Sequence, residues 1–220
     1  MKKYELTNET ITIDNGKTLY RIRALVNIEA FGVKVGDLGG YIEKEENLSH
    51  YGNAWVFGNA CVFGDARIYN DARICNNARV YGNARIYGNA TISGNAMIYG
   101  NAMIYGNAWV HGNAWVYDDT RIYGDAKIYG GAKIYGNAKI YGNADIKKVT
   151  HILMIDPIGS RNDTATFFRT KENIIKVKCG GFYGTIDEFL TKVELTHEND
   201  KYGRAYRLAV ELAKAQIELD

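Results

Sequence analysis

Residues 84–108 read ARIYGNATISGNAMIYGNAMIYGNA, one six-residue phrase repeated four times. Within Ala-x-Ile-Tyr-Gly-Asn the alanine and the aliphatic residue lie two apart. On an extended segment both point to one face, and the residue between them points to the other. Gly-Asn follows, and both residues tolerate positive φ at low cost, which signals a turn. Each phrase therefore reads as a very short strand and a corner. Two inward residues in six cannot build a long hairpin. They can build one side of a coil whose Ala and Ile or Val stack on the coils above and below, with backbones hydrogen-bonded about 4.8 Å apart.

The phrase runs without interruption from residue 54 to 143 as fifteen hexads, with a frayed sixteenth at ADIKKV. The position after the aliphatic residue tells how many sides the coil has. Taken every third hexad, it gives Phe63, Tyr81, Tyr99, Tyr117 and Tyr135 in one column, and Tyr69, Tyr87, Tyr105, Tyr123 and Tyr141 in another. Every non-aromatic exception falls in the third column, Phe57, Cys75, Ser93, His111 and Tyr129. That 18-residue modulation favours three sides, and five full coils would rise about 24 Å.

The phrase resembles the hexapeptide repeat of left-handed β-helix proteins, in which a small residue follows the aliphatic one by four positions. Ile86 and Ala90 in IYGNAR are so placed, whereas Tyr87 stands where that family often has glycine. Left-handedness is what this resemblance implies. The lead-in GDLGGYIEKEENLSHYGNAWV and the tail IGSRNDTATFFRTKENIIKVKCGGFYGTIDEF also resemble a narrower group of phage- and prophage-encoded hexapeptide-repeat proteins. That likeness implies a fold and a genomic habitat rather than a reaction.

Outside the repeat, ETITIDNGKTLYRIRAL reads as two strands around Asn15-Gly16, a strong hairpin signal, and forms an expected N-terminal cap. After Lys148 the composition shifts. VTHILMI predicts a strand ending at Pro157, and TATFFRTKENIIKVKC predicts a second hairpin. Thr185 and Glu188 have capping-box spacing ahead of a helix from about residue 186 to 196. A second amphipathic helix, about 201–219, is expected to bury Tyr206, Leu208, Ala209, Leu212 and Ile217. The expected fold is thus mainly β: a three-sided left-handed parallel β-helix of about five coils over 54–146, a β cap over 1–53, and a small α+β domain over 147–220.

Charge is nearly balanced, with 27 Lys and Arg against 25 Asp and Glu. No basic tail or acidic run argues for nucleic acid or membrane. Three cysteines without a CxxC pair suit free thiols in a reducing compartment. No signal peptide is read at the start, and no window approaches 18 apolar residues, so a cytoplasmic protein of a bacterial host is expected.

Hexapeptide helices host acyltransferases that use a histidine base in a cleft between subunits. Here no loop interrupts the repeat, and His111 is the one histidine within it; a tolerated corner residue is the plainer reading. The four histidines, His50, His111, His151 and His197, show no ligand spacing for zinc. Cys179 with His197 could form a nucleophile and base, but CGGFYG reads more simply as a strand end and turn. GDLGG and CGGFYG match no phosphate-binding fingerprint. The loop GSRND could read an anion or carboxylate through Arg161 and Asp163, against the plainer reading of a turn.

More informative is the outward position of the hexads. It runs from basic residues through Met97, Met103, Trp109 and Trp115 and back to basic residues. Ala and Ile already fill the interior, so exposed Met and Trp point to a covering partner, either another copy of the chain or a foreign protein. No catalytic set, metal or cofactor is assigned. The expected function is binding by a homo-oligomer, a trimer being favoured, that interferes with a host protein or sequesters a small signalling molecule through contacts such as His111, Arg161 and Asp163. The alternatives are an acyltransferase-like enzyme with an intersubunit site and a polymerising structural protein.

Overall fold

The computed structural model describes residues 1–220. The N-terminal hairpin pairs β1 (Tyr4–Thr12) antiparallel with β2 (Thr18–Ala24), and β2 with β3 (Leu38–Ile42). Two-residue strands then recur every six residues, from β4 (Trp55–Val56) to β19 (Asp145–Ile146). Each up to Lys127–Ile128 pairs in parallel with the strand eighteen residues on, so that Met97 sits beside both Arg79 and Trp115. The strands form three sheets, confirming a three-sided parallel β-helix. The lead-in supplies further sides, since β3 pairs in parallel with Cys61–Val62 and Leu48 bridges to Ile68. Close to six turns result rather than five, because residues 38–48 already stack as a coil although they lack the hexad phrase.

Alternation dictates the interior: from Ala54 to Ile146 the alanines and the aliphatic residues are buried in one continuous core. Thr120 replaces one alanine and is equally buried; its hydroxyl donates to Tyr117 O at 2.7 Å, which satisfies the added polar group. At the corners glycine is required by space as well as by φ. Gly94 has φ +72°, and a Cβ there would lie 2.8 Å from the backbone N and O of Gly112, one coil on.

Two of the three corner columns are stacked ladders. Ring centroids from Tyr69 to Tyr141 repeat every 4.7 to 4.9 Å with nearly parallel planes. The asparagine that reads as a turn former has a second role. Asn83 donates its amide to Asn101 and Asn101 to Asp119, both at 3.0 Å, and Asn89, Asn107 and Asp125 form a parallel series. An amide both donates and accepts, so the ladder propagates; a carboxylate only accepts and ends it.

Both ends of the solenoid are covered. Asn47 donates to the carbonyls of Gly64 and Ala66 on the first coil. At the other end β20 (Ile152–Ile158), β21 (Asp163–Arg169), β22 (Ile175–Cys179) and β23 (Phe182–Thr185) form an antiparallel sheet. Phe168 of β21 enters the solenoid core, and Tyr183 of β23 continues the tyrosine ladder 4.0 Å from Tyr141. Arg169, 4% exposed, binds Asp145 of the last coil at 3.1 Å and also Asp220.

Helices α1 (Ile186–His197) and α2 (Lys201–Gln216) pack with this sheet around a separate core. The Thr185–Glu188 capping box forms as its spacing predicts. The expected burial of α2 needs correction. Ala209 and Ile217 are buried and Tyr206 is half-buried, but Leu208 is 72% exposed and Leu212 49%. The sheet contacts the stripe of Ala209, Val210 and Ala213 instead, which leaves the leucines on the outer side.

Candidate binding site

The outward positions of the coils fall on three distinct faces. Trp109 lies between Thr91 and Lys127 on the first face. Met97 and Trp115 are register neighbours on the second. Met103 lies between Arg85 and Arg121 on the third. What reads along the chain as a belt is therefore a ring around the coil, and its one face-sharing apolar pair is Met97 with Trp115. Trp115 is 39% exposed, and Lys133, the next residue in its column, places its ammonium 5.4 Å from the indole centroid. The pair belongs to the same eight-stranded sheet as the β1–β2 hairpin.

His111 stands at the corner after Trp109 and lies nearly parallel to that indole at 6.0 Å. Its Nδ1 accepts from the Gly112 backbone N–H at 2.6 Å. One ring nitrogen is thus committed to the chain's own corner.

The C-terminal domain holds a cleft of about 410 Å³, where four segments separated in the sequence meet. The loop between β20 and β21 contributes Arg161, the start of β21 contributes Asp163, the turn after Cys179 contributes Gly180 to Phe182, and α1 contributes Lys192 and His197. Tyr206 of α2 stands between Cys179 and His197: the thiol donates to its hydroxyl at 3.8 Å, and its ring lies 5.7 Å from the imidazole. Cys179 and His197 thus share the cleft without contact between them. Burial pushes the Cys179 thiol up, and neighbouring Asp163 adds to that, the opposite of what activates a thiolate. His197 instead faces Asp200, with Nδ1 at 3.2 Å from the carboxylate. Tyr206 is held hard against Gly159, where a Cβ would overlap the hydroxyl. Burial, first, and then Cys179 raise the affinity of that phenol for its proton far above the usual range.

The sequence flagged GSRND and CGGFYG separately but not that they line one cavity. Lys192 and Tyr206 went unnoticed as site residues, because each sits on a helix that reads as ordinary amphipathic structure. No group of three or more His, Cys, Asp or Glu side chains is placed to hold a metal ion. No helix is long and apolar enough to cross a membrane.

Three consecutive segments, residues 72–85, 84–97 and 96–112, match the repeat described as the YdcK beta solenoid repeat. The matched span is the middle of the coil, and it agrees with the stacked strands seen there. No curated protein matches the chain.

Proposed function

We propose that the protein acts by binding, through the face on which Trp115 lies beside Met97, and that a second copy of the chain is the first occupant of that face. One observation carries this reading: the interior is already filled by Ala and Ile, yet Trp115, aligned with Met97 on the outer face, keeps 39% of its surface in water. About 100 Å² of each indole would be removed from water by a partner, given the area of a tryptophan side chain. At about 25 cal/mol per Å² that contributes ~2.5 kcal/mol per copy. The likeness of the lead-in and tail to phage- and prophage-encoded proteins extends the reading to interference with a host protein, which would compete for the same face.

The test is the native mass of the wild type and of a Met97→Lys, Trp115→Lys variant by light scattering. The wild type is expected to form a closed oligomer, trimer favoured. The variant is expected to be a monomer with an unchanged circular dichroism spectrum. A wild type that stays monomeric at high concentration overturns self-association, and a variant with unchanged mass overturns the assignment of the face.

A further inference from the structure

The C-terminal cleft has chemistry that the packing of its own domain does not use. Several basic side chains of this domain are engaged in ion pairs: Arg169 with Asp145 and Asp220, Lys148 with Glu218, Arg207 with Glu194. Arg161 and Lys192, which line the cleft from opposite elements, form no ion pair and no side-chain hydrogen bond. Asp163, the first residue of β21 and two residues on from Arg161, accepts only from the Thr164 N–H. Aromatic side chains line the same cleft. Phe182 and Phe189 have centroids 5.2 Å apart, and Tyr206 meets Phe189 edge-on at 5.4 Å. Tyr206 cannot retreat because Gly159 lies behind its hydroxyl. At the mouth, a Cβ on Gly181 would meet no atom within 4 Å, so access there is open.

We propose that this cleft binds a small aromatic monocarboxylate that carries a hydrogen-bond donor next to its carboxylate, an aromatic hydroxy or amino acid. The two cations select an anion, and the planar guanidinium of Arg161 matches a carboxylate fork. Asp163 turns away a dianion such as a phosphate monoester, since a like charge at short range is unfavourable, and it accepts from a hydroxyl or ammonium on the neighbouring carbon. The aromatic wall takes the flat body, in the manner of a mainly apolar pocket oriented by a few polar groups. About 410 Å³ suits a ligand of this size. The inference is independent of the Met97–Trp115 face, which lies on the solenoid.

Calorimetric titration of the full chain with phenyllactate tests it, with 2-phenylethanol and inorganic phosphate as controls. Phenyllactate is expected to bind in the millimolar range or tighter, and both controls to bind at least tenfold more weakly. Arg161→Ala is expected to weaken phenyllactate about tenfold or more, as loss of a charge-assisted pair does. Gly181→Trp, which fills the open mouth without touching the core, is expected to abolish binding while leaving circular dichroism unchanged. Absence of heat with phenyllactate overturns the proposal, as does equal binding of 2-phenylethanol or phosphate, or undiminished binding in both variants.

Discussion

Replacing single glycines by alanine separates two reasons for glycine at the corners. At Gly131 no atom lies within 4 Å of an added Cβ and the backbone is not left-handed. Alanine there restricts mainly the unfolded chain, and the expected effect runs from neutral to about 1 kcal/mol stabilising. At Gly58, φ is +60° but the nearest atom, Asn76 O, is 3.6 Å away, an ordinary contact. Only the left-handed conformation is then at issue, at about 1–2 kcal/mol. At Gly94 the same φ penalty is joined by a 2.8 Å approach to backbone N and O of Gly112, atoms that cannot rotate aside. Overpacking of that kind adds about 1–3 kcal/mol, so the expected total is about 2–5 kcal/mol. Equilibrium urea unfolding followed by far-ultraviolet circular dichroism, with equal slopes, gives the three values. If Gly94→Ala costs no more than Gly58→Ala, coil-on-coil crowding does not govern these corners and the reasoning fails.

Arg169→Met leaves Asp145, 15% exposed, with only Lys147 at 3.3 Å as a partner, and should destabilise the end cap by about 3–5 kcal/mol. Limited proteolysis should then release the C-terminal domain before the coils, whereas joint loss of both would contradict separate capping. Asn101→Asp replaces a 3.0 Å amide bond to Asp119 with a pair of carboxylates, so it should lower the melting temperature at pH 7 and much less near pH 4, where carboxylates approach neutrality; a pH-independent loss would point to packing instead. Burial pushes the Tyr141 phenol up to about 12. In the unfolded chain the phenol ionises near 10, so the stabilisation Tyr141 contributes is complete below pH 10 and is lost as pH rises from 10 to 12. Lys3 runs the other way: burial lowers it to about 8 from 10.5, so stability should rise with pH between those values, and Lys3→Met should flatten that rise in urea titrations.

The cleft illustrates what a linear reading misses. The sequence admits Arg161 and Asp163 as an anion-reading loop and Cys179 with His197 as a nucleophile and base, each beside a plainer reading as a turn. Both observations pointed into one cavity, but the neighbour that decides the chemistry is Tyr206, which separates the thiol from the imidazole. Its position depends on how α2 packs across the sheet. That same packing exposes Leu208 and Leu212, since an amphipathic pattern identifies an apolar stripe without saying which part of it will be met.

Much of the solenoid follows from the sequence alone, because a repeat contacts only its neighbours and its rules are local. The two-residue spacing of Ala and Ile sets the inward face, Gly-Asn sets the corner, and the 18-residue recurrence of Phe, Tyr and their exceptions sets three sides. Tertiary structure alone decided what those rules do not carry. The winding of the coil divides Met97, Met103, Trp109 and Trp115 among three faces and leaves one aligned pair. The lead-in around Leu48 joins the stack without the hexad phrase, because hydrogen bonding to Ile68 requires an extended backbone rather than a particular sequence. The cleft forms because packing of two helices on a four-stranded sheet brings residues 159–163, 179–182, 192–197 and 206 together. No local pattern encodes contacts between segments so far apart, since their energy exists only once the chain has closed upon itself.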